Sequence, residues 1–251
     1  MTERNELAGR VAVVTGAGRN IGRAIALELA AAGAAVVVNA RSNWEEARAV
    51  VREIERESGR AFACLADVTD AKAVEVMMAA AIERFGRIDM LINNAALRRE
   101  QPLEKMSFGD WREILGVILD GAFFCVKAAL PQLRASGVGA IVNIGGLSAH
   151  TGAGHRAHVV TAKAGLVGLT RALAHDLAAD HISVNCVAPG LIGTARAAGT
   201  PEPAHHRLHD TLTGNRGTPD DIAATVRFLC GPEARYITGQ TFHVNGGAFL
   251  G

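Results

Sequence analysis

One lysine, Lys163, is the first candidate for chemistry because it ends a histidine-rich stretch, HRAHVVTAK, at residues 155–163. His155 lies one helical turn before Val159 if the stretch is helical, and His158 is adjacent to that valine. Imidazole has an unperturbed pKa of about 6.5, so either histidine can serve as a general acid near neutral pH. Ser148, in the preceding loop, adds a hydroxyl. These side chains predict proton transfer close to Lys163, with a surface or capping role as the alternative for either histidine.

A second set of histidines raises the question of a metal. His205 and His209 have the i, i+4 spacing that places two imidazoles on one face of a helix, and His206 lies between them. If this stretch folds over the site, a zinc ion shared with His150, His155 or His158 would polarise a carbonyl as a Lewis acid. No carboxylate or thiolate accompanies the histidines in a ligand pattern. We therefore assign no metal ligand and treat a polar, histidine-rich substrate lid as the alternative.

A glycine-rich turn follows the first apolar run of the chain. The segment VAVVTGAGRNIGRAIALELA, residues 11–30, has the pattern of a buried strand, a tight turn and a helix with an apolar face. Small residues in such a turn let the backbone approach a pyrophosphate, and the N-terminus of the helix favours an anion. The segment predicts a dinucleotide-binding loop.

Short β-branched runs alternate with helical patterns along the whole chain. The runs are apolar on both faces, which is typical of buried parallel strands. The alternation predicts an α/β fold, a Rossmann-type doubly wound parallel sheet of about seven strands flanked by helices. The predicted strands are residues 11–15, 35–39, 61–66, 88–93, 140–144, 182–187 and 241–244.

Composition and charge narrow the class of protein. The chain has 251 residues, a net charge of +1 and no basic stripe, so we expect neither nucleic acid nor a membrane surface as a partner. Its four cysteines are far apart, which favours a reducing compartment. The start of the chain lacks an apolar leader pattern, and we expect a cytoplasmic protein. We predict one domain over residues 1–251, with a lid insertion around 195–212.

Five motifs, in the right order on the right elements, resemble the classical short-chain dehydrogenase/reductase family. They are the glycine turn from Thr15 to Gly22, Asp67-Val68, NNAA at 93–96, PGLIGT at 189–194 and YITGQTFHVNGG at 236–247. Asn20 stands where the middle glycine of the turn is usual, and asparagine adopts positive φ more readily than most residues. The resemblance implies a nicotinamide dinucleotide cofactor and a homotetramer.

The resemblance also assigns the cofactor contacts and favours NADP(H) over NAD(H). Asn39 stands where an acid would bind the ribose hydroxyls of NAD, and Arg41 and Arg19 suit a 2′-phosphate. Two solvated surface arginines are the alternative. The implied contacts are Gly16, Gly18, Arg19, Asn20, Ile21, Gly22, Asn39, Arg41, Asp67, Val68, Asn93, Ala95, Lys163, Pro189, Gly190, Ile192 and Thr194.

Only one of the four catalytic residues implied by the resemblance matches. Lys163 is the family's lysine, whereas Val159, Gly146 and Ile118 stand at the tyrosine, serine and asparagine positions. The single tyrosine of the chain, Tyr236, lies in the C-terminal motif. The family's usual proton transfer is therefore not expected, and Lys163, His158, His155 and Ser148 are the candidates to replace it.

Three interpretations follow. The first is an oxidoreductase that interconverts a small ketone or aldehyde and an alcohol by hydride transfer, with non-standard acid–base residues. The second is a catalytically silent nucleotide-binding protein that acts as a scaffold or cofactor sensor. The third is the metal-assisted enzyme, which uses the histidine cluster. Substrate specificity is expected to lie in residues 147–158 and 195–212.

Overall fold

Seven strands form one parallel sheet in the structure, a computed structural model that describes residues 5–194 and 210–251. The order is β3-β2-β1-β4-β5-β6-β7, which confirms the predicted Rossmann-type sheet. All six neighbouring pairs are parallel. The strands are β1 (Val11–Val14), β2 (Ala35–Ala40), β3 (Arg60–Leu65), β4 (Met90–Asn93), β5 (Ala140–Ile144), β6 (Ser183–Pro189) and β7 (Thr241–Val244).

Helices connect the strands and cover both faces of the sheet. Several begin at a side chain that accepts hydrogen bonds from the first turn, such as Asn43, Asp70 and Ser107. The helices are α1 (Asn20–Ala31), α2 (Trp44–Arg56), α3 (Ala71–Phe85), α4 (Phe108–Leu115), α5 (Gly121–Ser136), α6 (Ser148–Thr151), α7 (Ala157–Asp176) and α8 (Pro219–Cys230).

The alternation of side chains along each strand divides the core into two layers. Val14 and Val38 face α1, α2 and α8, whereas Val13 and Val37 face α3, α5 and α7. The order of the strands reverses between β1 and β4, so the loops at their carboxyl ends open a crevice there. Ligands bind at this point in doubly wound sheets, and the predicted motifs converge on it.

Helices α4 and α5 are joined by a wide π-helical turn at Gly116–Asp120. The combined helix Phe108–Ser136 has 29 residues and a mean hydropathy of 1.8 in its most apolar window, so by length and composition it could cross a membrane. It instead packs against α3 and α7 within the fold. Its apolar character is that of a core helix.

The predicted lid falls mainly on residues 195–209, which lie outside the described part of the chain. The same holds for His205, His206 and His209. The lid, the single-domain assignment and the metal-assisted alternative therefore stay predictions.

Candidate active site

The loops that follow β1 and β4 are locked together by one threonine. The Thr15 hydroxyl accepts hydrogen bonds from the backbone N–H groups of Asn94 and Ala95, both at 3.0 Å, and donates to the Ile92 carbonyl at 3.3 Å. In return, the Asn94 side chain donates to the carbonyls of Thr15 and Gly16, at 2.9 and 3.0 Å. The glycine turn and the NNAA motif are thus neighbours, as parallel strands require.

The glycine turn forms a cradle that only small residues allow. A Cβ on Gly22 would lie 2.3 Å from the Gly16 carbonyl oxygen, and Gly16 itself has a φ of +62°. Asn20 has a φ of +50°, as expected for a residue that replaces the middle glycine. Arg19, the residue before α1, makes no side-chain capping hydrogen bond, and a tight turn at a helix N-terminus fits a pyrophosphate.

Asn39, near the end of β2, holds the glycine turn in place through hydrogen bonds from its side chain. Its Oδ1 accepts a hydrogen bond from Gly16 N–H at 3.2 Å, and its Nδ2 donates to the carbonyls of Ala40, Cys64 and Ala66 at 3.3, 3.3 and 3.1 Å. The side chain is buried. Asn39 therefore supports the glycine turn, and its contact with a ribose stays a prediction.

Two exposed arginines lie close in sequence to the ends of β1 and β2. Arg19, just before α1, and Arg41, just after β2, are both exposed, as a pair that binds a 2′-phosphate must be. Asp67 folds back on its own loop, where Oδ1 accepts hydrogen bonds from the N–H and hydroxyl of Thr69 at 2.9 and 2.8 Å. Val68 is buried and lies against Gly121 at the start of α5.

Asn93 begins a buried polar chain below the crevice. Its Nδ2 donates to Asn143 Oδ1 at 2.9 Å, and Asn143 Nδ2 donates to the Thr170 hydroxyl at 2.9 Å. That hydroxyl donates to the Leu166 carbonyl at 2.8 Å. Asn93 Oδ1 is buried and has no hydrogen-bond partner among the described residues, so it is an acceptor oriented for a ligand or a water.

The PGLIGT segment is held between two loops at the end of β6. The Gly190 N–H donates to the Val244 carbonyl, and the Leu147 N–H donates to the Pro189 carbonyl, both at 2.9 Å. A Cβ on Gly190 would lie 2.6 Å from Asn245. Ile192 is buried, and Thr194 is the last described residue before the gap. The segment is thus fixed at the carboxyl end of the sheet, and its contact with a nicotinamide stays a prediction.

Lys163 lies on the inner face of α7 and is almost completely buried. Its Nζ donates a hydrogen bond to the carbonyl of Ile144, at the end of β5. Burial, reinforced by the positive charge of Arg98, lowers the pKa of Lys163 to about 7. The ammonium therefore loses its proton close to neutral pH, which is where a general acid or base works best.

Hydrocarbon surrounds the position one turn before this lysine. Val159 is buried in a cluster with Ile114, Ile118 and Leu166, and Ile118 lies in the π-helical turn. Gly146 faces open space, since a Cβ there would meet nothing within 4 Å. The only tyrosine, Tyr236, is fully exposed. The assignment of Val159, Gly146 and Ile118 to the family's tyrosine, serine and asparagine positions stays a prediction.

The two candidate histidines have different environments. His158 is fully buried beside Val159; its Nδ1 accepts the Val159 N–H at 3.0 Å, and its Nε2 has no partner among the described residues. Burial lowers the pKa of His158, which keeps the imidazole neutral. His155 is exposed with a φ of +58°. Ser148 is half-buried at the start of α6. Of the two, His158 is the buried histidine, and it leaves α7 on a different side from Lys163.

His150 packs against two aromatic side chains from the C-terminal part of the chain. Its ring lies 4.5 Å from that of His243 and 5.6 Å from that of Phe249, centroid to centroid. Over residues 5–194 and 210–251, no three His, Cys, Asp or Glu side chains are grouped to hold a metal ion.

Sequence reasoning missed two arginines. Arg156, the residue before α7, is buried, and Arg98 follows the NNAA motif. Both act electrostatically on Lys163. Arg156 precedes the first helical residue of α7 and has non-helical backbone angles, so the helical period alone does not predict its position.

The sheet order and the locked glycine cradle define a dinucleotide-binding α/β protein. A family model described as enoyl-(acyl carrier protein) reductase matches residues 16–248, and with the relatives below it shows that the chain belongs to the short-chain dehydrogenase/reductase family.

Curated relatives cover nearly the whole chain. The 3-oxoacyl-[acyl-carrier-protein] reductase FabG of Staphylococcus aureus is 40% identical over 240 residues, which are 95% of this chain and 98% of the relative. The (2S)-[(R)-hydroxy(phenyl)methyl]succinyl-CoA dehydrogenase subunit BbsD of Thauera aromatica is 41% identical over 242 residues, 96% and 97% of the two chains. The chain is thus an NAD(P)-dependent oxidoreductase by family and a homologue of the 3-oxoacyl reductases.

Solved structures agree with this assignment. A short-chain dehydrogenase from Burkholderia cenocepacia in complex with NADP is 36% identical with a TM-score of 0.89, over 97% of this chain and 99% of that one. A putative short-chain alcohol dehydrogenase from Sinorhizobium meliloti is 38% identical with a TM-score of 0.92, over 98% of both chains.

Proposed function

We propose that the chain is an NADP(H)-dependent oxidoreductase that interconverts a small ketone or aldehyde and an alcohol, with Lys163 as its acid–base residue. The observation that carries the proposal is the buried ammonium of Lys163 on the α7 face, inside a fold whose glycine cradle is intact. The relatives named as 3-oxoacyl reductases make a 3-oxoacyl thioester the first substrate to test.

The residues of the crevice fit the cofactor. The Gly16–Gly22 cradle would hold the pyrophosphate, Arg19 and Arg41 the 2′-phosphate, and the 189–194 segment the nicotinamide. NADPH, when bound, supplies the hydride that adds to the carbonyl carbon. A family member solved with NADP supports the choice of cofactor.

In this chain the proton must come from a group other than the family's tyrosine. Val159 has no exchangeable proton, whereas Lys163 Nζ carries one at and below about pH 7. In reduction the ammonium donates its proton to the oxygen as charge develops there, and in oxidation the neutral amine accepts it. His158, whose Nε2 has no hydrogen-bond partner within residues 5–194 and 210–251, is a second candidate donor, and Ser148 is a third at the start of α6.

The first experiment is a titration with NADPH and with NADH, followed by nicotinamide fluorescence, and then an assay of 3-oxoacyl thioester reduction. We expect tight binding of NADPH and turnover that falls at least 100-fold in Lys163→Met, the loss typical of a general acid. Lys127→Met, on α5, is the control for the loss of a lysine. Absence of NADPH binding would overturn the proposal.

The silent nucleotide-binding protein is the second candidate, because one observation favours it. The position one turn before Lys163 is closed by the hydrocarbon of Ile118 and Val159, so that no proton relay passes through it. Binding of NADPH without turnover of any carbonyl compound, together with unchanged NADPH affinity in His158→Ala, would support this candidate over the first.

A homotetramer is part of the same proposal. Beside α5 and α7 lies an apolar groove of about 540 Å³. Phe123 is 49% exposed there, and Gly168 leaves room for a second backbone. The other residues of the groove are Leu119, Asp120, Phe124, Leu169 and Ala172. Gly168→Arg should shift the mass measured by light scattering from tetramer toward smaller species.

A cytoplasmic location is also part of the proposed function.

A further inference from the structure

Glu46, in the first turn of α2, lies against the glycine turn. A Cβ on Gly18 would lie 3.2 Å from Glu46 Cβ and 3.5 Å from Glu46 Oε2. Both residues are half-buried, so this contact is at the surface of the fold. The carboxylate of Glu46 therefore covers one side of the turn that is proposed to bind the cofactor.

The capping of α2 does not account for the position of this carboxylate. Glu46 is the third residue of α2, from which an acid commonly accepts a hydrogen bond from the N–H of the capping residue. Asp110 in α4 and Asp221 in α8 do so, at 3.0 and 2.6 Å. In α2 the side chain of Asn43 accepts the Glu46 N–H at 3.1 Å, but no return bond joins the two residues. The Glu46 carboxylate lies at the glycine turn instead.

Three segments with charged residues meet at this place. The Ala17 N–H donates to the Asn39 carbonyl at 2.7 Å, which ties the glycine turn to the end of β2. Arg19 follows Gly18 in the turn, and Arg41 follows β2. Within residues 5–194 and 210–251, neither arginine forms an ion pair with Glu46. The carboxylate thus adds a negative charge that no arginine contact neutralises.

We infer that Glu46 limits the preference of the chain for NADPH over NADH. A 2′-phosphate bound by Arg19 would approach the turn on which the Glu46 carboxylate lies, and like charges repel each other there. The uncharged 2′-hydroxyl of NADH does not meet this repulsion. The balance between two arginines and one glutamate then sets the choice of cofactor. The inference rests on the proposed function, because it concerns the same cofactor site.

The test is a fluorescence titration of the wild-type protein and of Glu46→Gln with NADPH and with NADH. Glu46→Gln should bind NADPH about 3-fold to 30-fold more tightly and NADH within about 2-fold of the wild-type constant. The gain should shrink at high ionic strength, because salt screens repulsion between groups that solvent reaches. A variant that folds poorly would lose affinity, so the expected gain cannot come from damage to the fold.

Two further variants assign the effect to the charge of Glu46. Glu45→Gln is the matched control, since Glu45 is exposed in the same first turn of α2 and its loss changes the net charge by the same amount. It removes a similar favourable interaction with the helix N-terminus, and NADPH should bind within about 2-fold of the wild-type constant. Glu46→Lys reverses the charge and should bind NADPH more tightly than Glu46→Gln does.

The outcomes separate this inference from the proposed function. If both cofactors bind and the NADPH-to-NADH ratio is the same in the wild type and in Glu46→Gln, the role of Glu46 is overturned and the proposed function stands. An equal gain in Glu45→Gln, or a gain that high ionic strength leaves unchanged, also overturns only the role of Glu46. If neither cofactor binds to the wild-type protein, the proposed function is overturned and this inference with it.

Discussion

The Nζ atom of Lys163 donates its hydrogen bond to the main-chain carbonyl of Ile144, at the carboxyl end of β5. This contact draws the amine into the sheet edge, where burial lowers its pKa to about 7. An ordinary surface lysine would stay charged throughout the range in which enzymes work. The burial of Lys163 at the carboxyl end of β5 is therefore what suits its amine to proton transfer near neutral pH.

The first prediction concerns pH. Because the pKa of Lys163 is lowered to about 7, the proton-donating form exists below that pH and disappears above it. The rate of carbonyl reduction should be level below about pH 7 and fall about tenfold per unit above it, and alcohol oxidation should show the opposite slope. Stopped-flow rates of hydride transfer measure both limbs. A reduction rate independent of pH from 6 to 9 would remove Lys163 as the donor.

The second prediction concerns Arg41. Arg41→Ala should weaken NADPH at least 10-fold, because hydrogen bonds to a charged group contribute roughly 1.5–3 kcal/mol. NADH, which lacks the 2′-phosphate, should bind as before. Fluorescence titration gives both constants, and Arg48→Ala, on the exposed part of α2, is the control. Equal weakening of the two cofactors would rule out the phosphate contact.

The third prediction concerns Asn39. Asn39→Ala leaves the Gly16 N–H and three strand-end carbonyls without this partner. An unsatisfied buried group costs about 1–3 kcal/mol, so the free energy of unfolding should fall by at least that amount. Denaturant unfolding measures the loss, and Asn43→Ala, which removes a helix cap worth about 0.5–2 kcal/mol, is the comparison. A smaller loss for Asn39→Ala than for Asn43→Ala would contradict the supporting role.

The fourth prediction concerns the two positions that resemble the serine and tyrosine sites. A serine fits at Gly146, where a Cβ meets open space, whereas a tyrosine at Val159 must displace part of the Ile118 cluster. The double variant Gly146→Ser/Val159→Tyr should speed reduction of an uncharged ketone by about 10²-fold or more.

The matched control is Gly146→Ser/Val159→Phe, which has the same ring without the hydroxyl. If both double variants have the same rate, these positions do not reproduce the proton-transfer site of the family, and the assignment of Val159 to the tyrosine position loses its support.

The sequence allowed the sheet to be predicted because buried parallel strands are uniformly apolar and the helices between them are capped. Strand ends do not follow from the pattern: it predicts a strand from residue 88, but β4 begins at Met90. Asn20 was expected at positive φ, and it is found there, since the turn tolerates few other residues.

The site is harder to predict than the sheet, because it joins residues that are far apart in the sequence. The lock between Thr15 and Asn94 joins residues 79 positions apart, so no local pattern reveals it. His155 and His158 looked equivalent in sequence, and only the backbone at the start of α7 distinguishes the exposed from the buried imidazole. Arg156 does not follow from the sequence, because a guanidinium stays protonated near neutral pH and does not fit the pattern of a general acid.

If Lys163 is the acid–base residue, as proposed, the hydrocarbon cluster around Val159 and Ile118 also determines the path by which it regains a proton between turnovers. Alkyl side chains neither hold nor pass protons, so this wall insulates the amine of Lys163 from the solvent behind the π-helical turn. A proton spent on one substrate is then replenished through the mouth of the crevice, after the product departs. Lys163 would then be reprotonated by solvent only after the product has left the crevice, so reprotonation would follow product release in each turnover.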